Sequence, residues 1–147
     1  MLPPGFKILL VEDDPDDRFI IDEAFIAIGY EAEIKKFIDG DHLFQYLGQI
    51  ESHQYPALIV LDSVLPRHDA VDILAILKKD PRYSGIRVIV YSTVISPQRK
   101  ELLLAGGAYA CIKKGATMEE VITVANALKA IAESDTGAGS GVTNQLI

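Results

Sequence analysis

ALIVLDSVLP, residues 57–66, decides how this chain is read. Five apolar residues run directly into Asp62, and Val64 and Leu65 precede Pro66. A continuous apolar run of this length suits a strand of a parallel sheet covered on both faces, where neither side meets water. Such a strand has no solvated face to offer a carboxylate, so Asp62 belongs at its end. There it either caps a turn before Pro66 or stands as a reactive group at the rim of a sheet.

Four further runs read as strands: KILLV (7–11), AEIKKFI (32–38), RVIVY (87–91) and AYACI (108–112). Helical signals separate them. In DDPDDRFIIDEAFIAIG (13–29), Asp14 caps, Pro15 suits the first helical position and Gly29 ends the helix, with Ile21, Phe25 and Ile28 at helical spacing. Leu43, Leu47 and Ile50 form a second stripe, and Ile73, Leu74 and Leu77 a third that stops before Pro81. SPQRKELLLAGG (96–107) starts at Ser-Pro and finishes at glycine. The last helix opens with a Thr117–Glu120 capping-box spacing and carries Val121, Val124, Leu128 and Ile131. Five βα units in strict alternation predict an α/β fold: an open, doubly wound, five-stranded parallel sheet, (βα)5. One domain is expected over residues 6–132, with residues 133–147 as a flexible tail rich in Gly, Ser and Thr.

Bulk properties narrow the function. The 147 residues suffice for one well-buried core, and 49% hydrophobic with 24% charged residues is ordinary globular composition. A formal charge of −7 argues against a nucleic-acid partner, which calls for a basic face. One cysteine rules out a disulfide framework and fits a reducing compartment. The start, MLPPGFKILLVEDD, has no secretory pattern, and no apolar run nears the roughly 20 residues of a membrane span. A cytoplasmic protein without a membrane partner is expected.

The polar residues at the strand ends carry the chemistry. In open α/β sheets, sites form outside the carboxyl ends of the strands. Strand one ends in Glu12, Asp13 and Asp14, strand three in Asp62, strand four in Ser92 and Thr93, and strand five in Lys113 and Lys114. Close carboxylates repel unless a cation neutralises them. An all-oxygen set without Cys or His suits Mg²⁺, which takes one or two carboxylates plus waters and phosphate oxygens. A carboxylate beside such a metal can attack phosphorus, and a lysine can hold the phosphoryl oxygens.

With ILLVEDDPDD (8–17), LIVLDSVLPRHDAVDIL (58–74), VIVYST (88–93) and GGAYACIKKG (106–115) in place, the chain resembles the receiver domain of two-component response regulators. The resemblance implies a flavodoxin-like fold and a phosphoryl group accepted from a histidine kinase on Asp62. It implies that Asp13 binds Mg²⁺ directly and Glu12 through a water, with the Val64 backbone carbonyl as a further ligand. Ser92 falls at the hydroxyl position that contacts the phosphoryl group, and Lys114 rather than Lys113 fits the family's lysine register. The stretch between Tyr46 and Pro56, and LKKDPRYSGIRVIVYST (77–93), resemble single-domain regulators partnered with phytochrome histidine kinases. A homodimer through the fourth helix, fifth strand and fifth helix is implied too, lined by Arg99, Leu103, Tyr109 and Glu119.

The chain departs from the family pattern at three places. Gly115 replaces the proline after the lysine and is expected to loosen that loop. Cys111 replaces the aromatic three residues before the lysine, and strand alternation puts Tyr109 on the same side as a substitute. Ala70 replaces the glycine after Asp69. Each residue also has a plainer reading: Asp14 as a cap, Cys111 as a small buried apolar residue, and His42, His53 and His68 as surface residues without metal-ligand spacing. The competing function is a Mg²⁺-dependent Asp-nucleophile phosphohydrolase. Such enzymes usually carry a second carboxylate two residues after the nucleophile, and here that position is Val64.

Overall fold

Five parallel strands form the single sheet of the computed structural model, which describes residues 4–134. They are β1 (Ile8–Val11), β2 (Ile34–Phe37), β3 (Leu58–Asp62), β4 (Arg87–Ser92) and β5 (Ala110–Lys113), in the order β2-β1-β3-β4-β5. The connecting helices are α1 (Pro15–Ala27), α2 (Gly40–Gln49), α3 (Ala70–Lys79), α4 (Pro97–Ala105) and α5 (Met118–Glu133). Winding runs outward from β1 to β2 and reverses at β3, so the β1/β3 pair is the switch point where a crevice opens. Pairing of Val11 with Leu61 carries Glu12 and Asp62 to adjacent strand ends.

Alternation along the strands splits the core into two layers. Leu9, Val11, Ile59, Leu61, Val88, Val90 and Cys111 face α2, α3 and α4, where Leu43, Leu47, Ile73, Leu74, Leu77 and Leu103 meet them. Ile8, Leu10, Val60, Ile89, Tyr91 and Ile112 face α1 and α5, against Ile21, Phe25, Val121, Leu128 and Ile131. All five residues of β3 and all six of β4 are buried, as a sheet covered on both faces requires. Helix starts follow their caps. The Asp14 carboxylate accepts from the N–H groups of Asp16 and Asp17, and Gly29 leaves α1 at φ 71°. At α5, Thr117 Oγ1 accepts from Glu120 N–H at 3.1 Å, but the Glu120 carboxylate accepts from Ala116 N–H at 2.7 Å, one residue before the cap.

Two expectations need correction. Tyr109 and Cys111 do not share a side: β5 begins at Ala110, so Tyr109 precedes the alternation and packs in the α1/α5 layer, 5.5 Å from the Arg87 guanidinium. Leu103 lines no surface; it is fully buried and is the buried anchor of α4. At Gly115 the chain passes close to α5: a Cβ there would lie 2.7 Å from Val121 N and 2.8 Å from Glu120 Cβ. Of the expected tail, Glu133 completes α5, Ser134 follows it, and residues 135–147 lie outside the described residues. No helix among the described residues is long and apolar enough to cross a membrane.

Candidate functional site

β1 and β3 deliver their carboxylates to the same point because both strands end there in register. Glu12 is fully buried, Asp62 is 8% exposed, and Asp13 is exposed. One oxygen from each of the three lies within 4.8 Å of the others. Lys114 enters from the end of β5, its backbone N–H donating to Ser92 O at 2.8 Å. Its ammonium lies 2.9 Å from Glu12 Oε1, 2.9 Å from Asp17 Oδ2 and 3.3 Å from Asp62 Oδ2. Lys113, one residue earlier, is exposed.

These charges set each other's protonation. Burial pushes the Asp62 carboxyl up to about 7, the hydrogen bond and negative charge of Glu12 push the same way, and Lys114 opposes them. Burial would also raise Glu12, but hydrogen bonds with Asp62, Lys114, Tyr91 and the Asp14 N–H outweigh it, leaving Glu12 below the usual carboxylate range. Burial alone would lower Lys114; its bonds to Asp17 and Glu12 and the charge of Asp62 carry it above the usual lysine value. So the crowding falls on Asp62, whose ionised form is disfavoured, while Glu12 is held as a carboxylate and Lys114 as a cation. A site whose central acid resists ionisation is short of positive charge. Three hard oxygen donors in this state fit a divalent cation.

Ser92 sits at the end of β4 but is turned to other partners. Its hydroxyl accepts from Ser63 Oγ at 2.7 Å and donates to Val94 O at 2.8 Å. Val64 is 72% exposed beside the carboxylate, and its N–H reaches Asp62 Oδ1 at 3.4 Å.

Four residues join the site that sequence reading did not place there. Asp17 shares Lys114; its position one turn after Asp14 aims it back at the rim. Tyr91 pairs with Asp62 across β3 and β4, and its hydroxyl donates to Glu12 Oε1 at 2.8 Å. A tyrosine immediately before Ser92 in an otherwise aliphatic strand is the signal for it. Ser63 holds the Ser92 hydroxyl. Arg99, expected on an interaction face, instead donates from Nη2 to Ser63 O at 2.9 Å and reaches Asp69 Oδ2 at 3.3 Å. No sequence spacing announces that contact, because it joins α4 to the loop after β3, 36 residues apart.

Comparisons with known proteins agree with this geometry. The family model for the response regulator receiver domain matches residues 8–126. Response regulator Rcp1 of Synechocystis sp. is 34% identical over 93 residues, 61% of this chain and 63% of that protein. A probable methanogenesis regulatory protein, FilR2, of Methanothrix harundinacea is 33% identical over 93 residues, 62% of this chain and 60% of that one. The chain thus spans less than two thirds of the length of these relatives. Among solved structures, the phosphorylated cyanobacterial phytochrome response regulator RcpA superposes with a TM-score of 0.76 at 29% identity, covering 88% of this chain and 95% of that one. The Mn²⁺-bound form of Rcp1, at 23% identity, shares the fold with a TM-score of 0.70 over 87% and 93% of the two chains. A family match running from the first strand into the last helix, on a sheet whose switch point gathers three acids and a lysine, makes this chain a member of the response regulator receiver-domain family.

Proposed function

We propose that this chain is a signalling switch that accepts a phosphoryl group on Asp62 from the phosphohistidine of a histidine kinase, in a Mg²⁺-dependent reaction. The observation that carries the reading is the Asp62 carboxylate, 3.3 Å from the Lys114 ammonium and clustered with Glu12 and Asp13 within 4.8 Å. Asp13, Asp62 and the Val64 carbonyl would hold Mg²⁺, with Glu12 acting through a water. When bound, Mg²⁺ neutralises the crowded acids and the phosphoryl oxygens. An Asp62 oxygen attacks phosphorus, the P–N bond to the donor imidazole breaks, and the imidazole leaves with the bonding pair and takes up a proton. Lys114 holds the negative charge of the transferred group. Ser92 must give up Ser63 and Val94 to reach that group, which moves the loop after β4.

The likeness to RcpA, named as a phytochrome response regulator, supports a phytochrome-type kinase as donor. The charge of −7 supports protein partners, not nucleic acid, and the lone cysteine supports a cytoplasmic setting. Val64, where a phosphohydrolase would place its general acid, supports a switch that processes only its own phosphoryl group.

Incubation with acetyl phosphate, with and without Mg²⁺, tests the reading by intact mass. A single, Mg²⁺-dependent, slowly decaying phosphorylation is expected. Steady multiple turnover of free phosphate esters would mark the chain as a hydrolase instead.

A further inference from the structure

We infer that Tyr91 is a positioning residue that sets which divalent cation the acidic rim accepts, by occupying Glu12 Oε1 so that this oxygen is not free to ligate. The inference rests on the metal-dependent reading above and names a residue outside the ligand set. Tyr91 is 3% exposed and lies at the end of β4 opposite Asp62. Its phenol is used at both its edge and its face. The hydroxyl donates to Glu12 Oε1 at 2.8 Å, and the ring lies under the Lys114 ammonium, 4.7 Å from nitrogen to ring centroid. Lys114 donates to the same Glu12 oxygen at 2.9 Å, while the Asp14 N–H takes Glu12 Oε2 at 3.2 Å.

Both oxygens of this fully buried carboxylate are therefore engaged by protein donors. With two donors on it, Glu12 Oε1 has both lone pairs taken and offers a neighbouring cation its charge and not a bond. That arrangement favours Mg²⁺, which demands octahedral geometry and keeps several waters, over Ca²⁺, which takes six to eight oxygens and gains from every additional carboxylate. An aliphatic side chain at 91 would fill the same volume and do neither job. Removing the hydroxyl alone releases one lone pair of Glu12 toward the cluster. Ca²⁺ gains an oxygen ligand from this, whereas Mg²⁺ gains little. Outer-shell hydrogen bonds of this kind tune metal affinity by about 10–100-fold.

Calorimetric titration of the unaltered chain and of Tyr91→Phe with MgCl₂ and with CaCl₂ tests the inference. In Tyr91→Phe the Kd for Ca²⁺ should fall about tenfold relative to that for Mg²⁺. A ratio unchanged within about twofold overturns the role of Tyr91 and leaves the metal site standing. An unaltered chain that binds neither cation overturns the metal-dependent reading itself, and the inference with it. Should Tyr91→Phe lose its far-ultraviolet circular dichroism, a crystal structure of the unaltered chain with Mg²⁺ decides. Glu12 Oε1 still on the Tyr91 hydroxyl supports the inference, and Glu12 bonded directly to Mg²⁺ overturns it.

Discussion

At the scale of single residues, Asp62 is costly in the resting state. Its folded pKa of about 7 stands above the ordinary 3.8, so the folded chain holds a proton that the unfolded chain releases. The stability this contributes is complete below about pH 4 and is lost as pH rises through about 7. Glu12 shifts the other way and stays ionised across that window, so the slope belongs to Asp62. Metal-free protein should therefore lose stability, by up to a few kcal/mol, between about pH 4 and 7. Urea unfolding at several pH values should show the slope, and Asp62→Asn should flatten it while abolishing phosphorylation. If Asp62→Asn still gains a full phosphoryl mass, the nucleophile is elsewhere. Lys114 is raised as well, so its contribution too is lost only as pH rises, far above neutrality. Lys114→Met leaves Glu12 buried and ionised without its cation, and should cost about 3 kcal/mol in urea unfolding.

At the scale of elements, β5 and the loop after it carry two of the departures from the family pattern, Cys111 and Gly115, and α4 packs beside them. α4 has one buried side chain, Leu103, and a second hold through Arg99 on the β3–α3 loop. That makes it the helix most easily shifted when the Ser92 loop moves. Arg99→Met should speed amide exchange across residues 97–105 and leave the strands protected. Unchanged exchange there would mean that Leu103 alone holds the helix. Gly115 packs against the start of α5 with no room for a Cβ. Gly115→Ala should lower the melting temperature, because its Cβ would meet the backbone of Val121 and Glu120 below 3 Å. A melting temperature equal to the parent's would show that the loop yields easily. Cys111 is buried in the α3/α4 layer as a small apolar side chain, so no ring swings at that position. What takes its place is polar: Ser63 to Ser92, and Arg99 from Ser63 to α4.

The whole fold was legible because it rests on short-range signals: apolar runs, caps at Asp14 and Thr117, and glycine at the end of α1. The acidic rim was legible because strand-end position follows from the same runs. What stayed hidden depends on side-chain direction across distant segments. Tyr91 reaching Glu12 spans 79 residues, and Arg99 reaching Ser63 spans 36. The misplacement of Tyr109 came from a strand boundary, and that of Leu103 from which face of α4 turns to the core. Alternation predicts a face only inside a strand, and Tyr109 lies one residue before β5.

Those corrections change how an output surface is drawn on the whole molecule. β5 is an edge strand, flanked by α4 and α5, and strand edges invite a partner unless they are covered. With Leu103 in the core and Arg99 tied inward, the apolar part of this side is Leu102, 55% exposed, with Leu104 at 40% and Met118 at 43%. These side chains belong to the N-terminal turn of α5 and to α4, the helix that the Ser92 loop moves. On the proposed mechanism, drawing Ser92 toward Asp62 would reorient half of this side relative to the other half. We expect a homodimer whose affinity changes on phosphorylation by a coupling of about 1–3 kcal/mol. Leu102→Glu should weaken it in both states by placing like charges across a symmetric contact. Sedimentation with and without beryllofluoride, a mimic of the phosphoryl group, gives the two dimerisation constants directly. Identical constants would exclude dimerisation as the output and leave the same displacement of α4 to be read by a different protein.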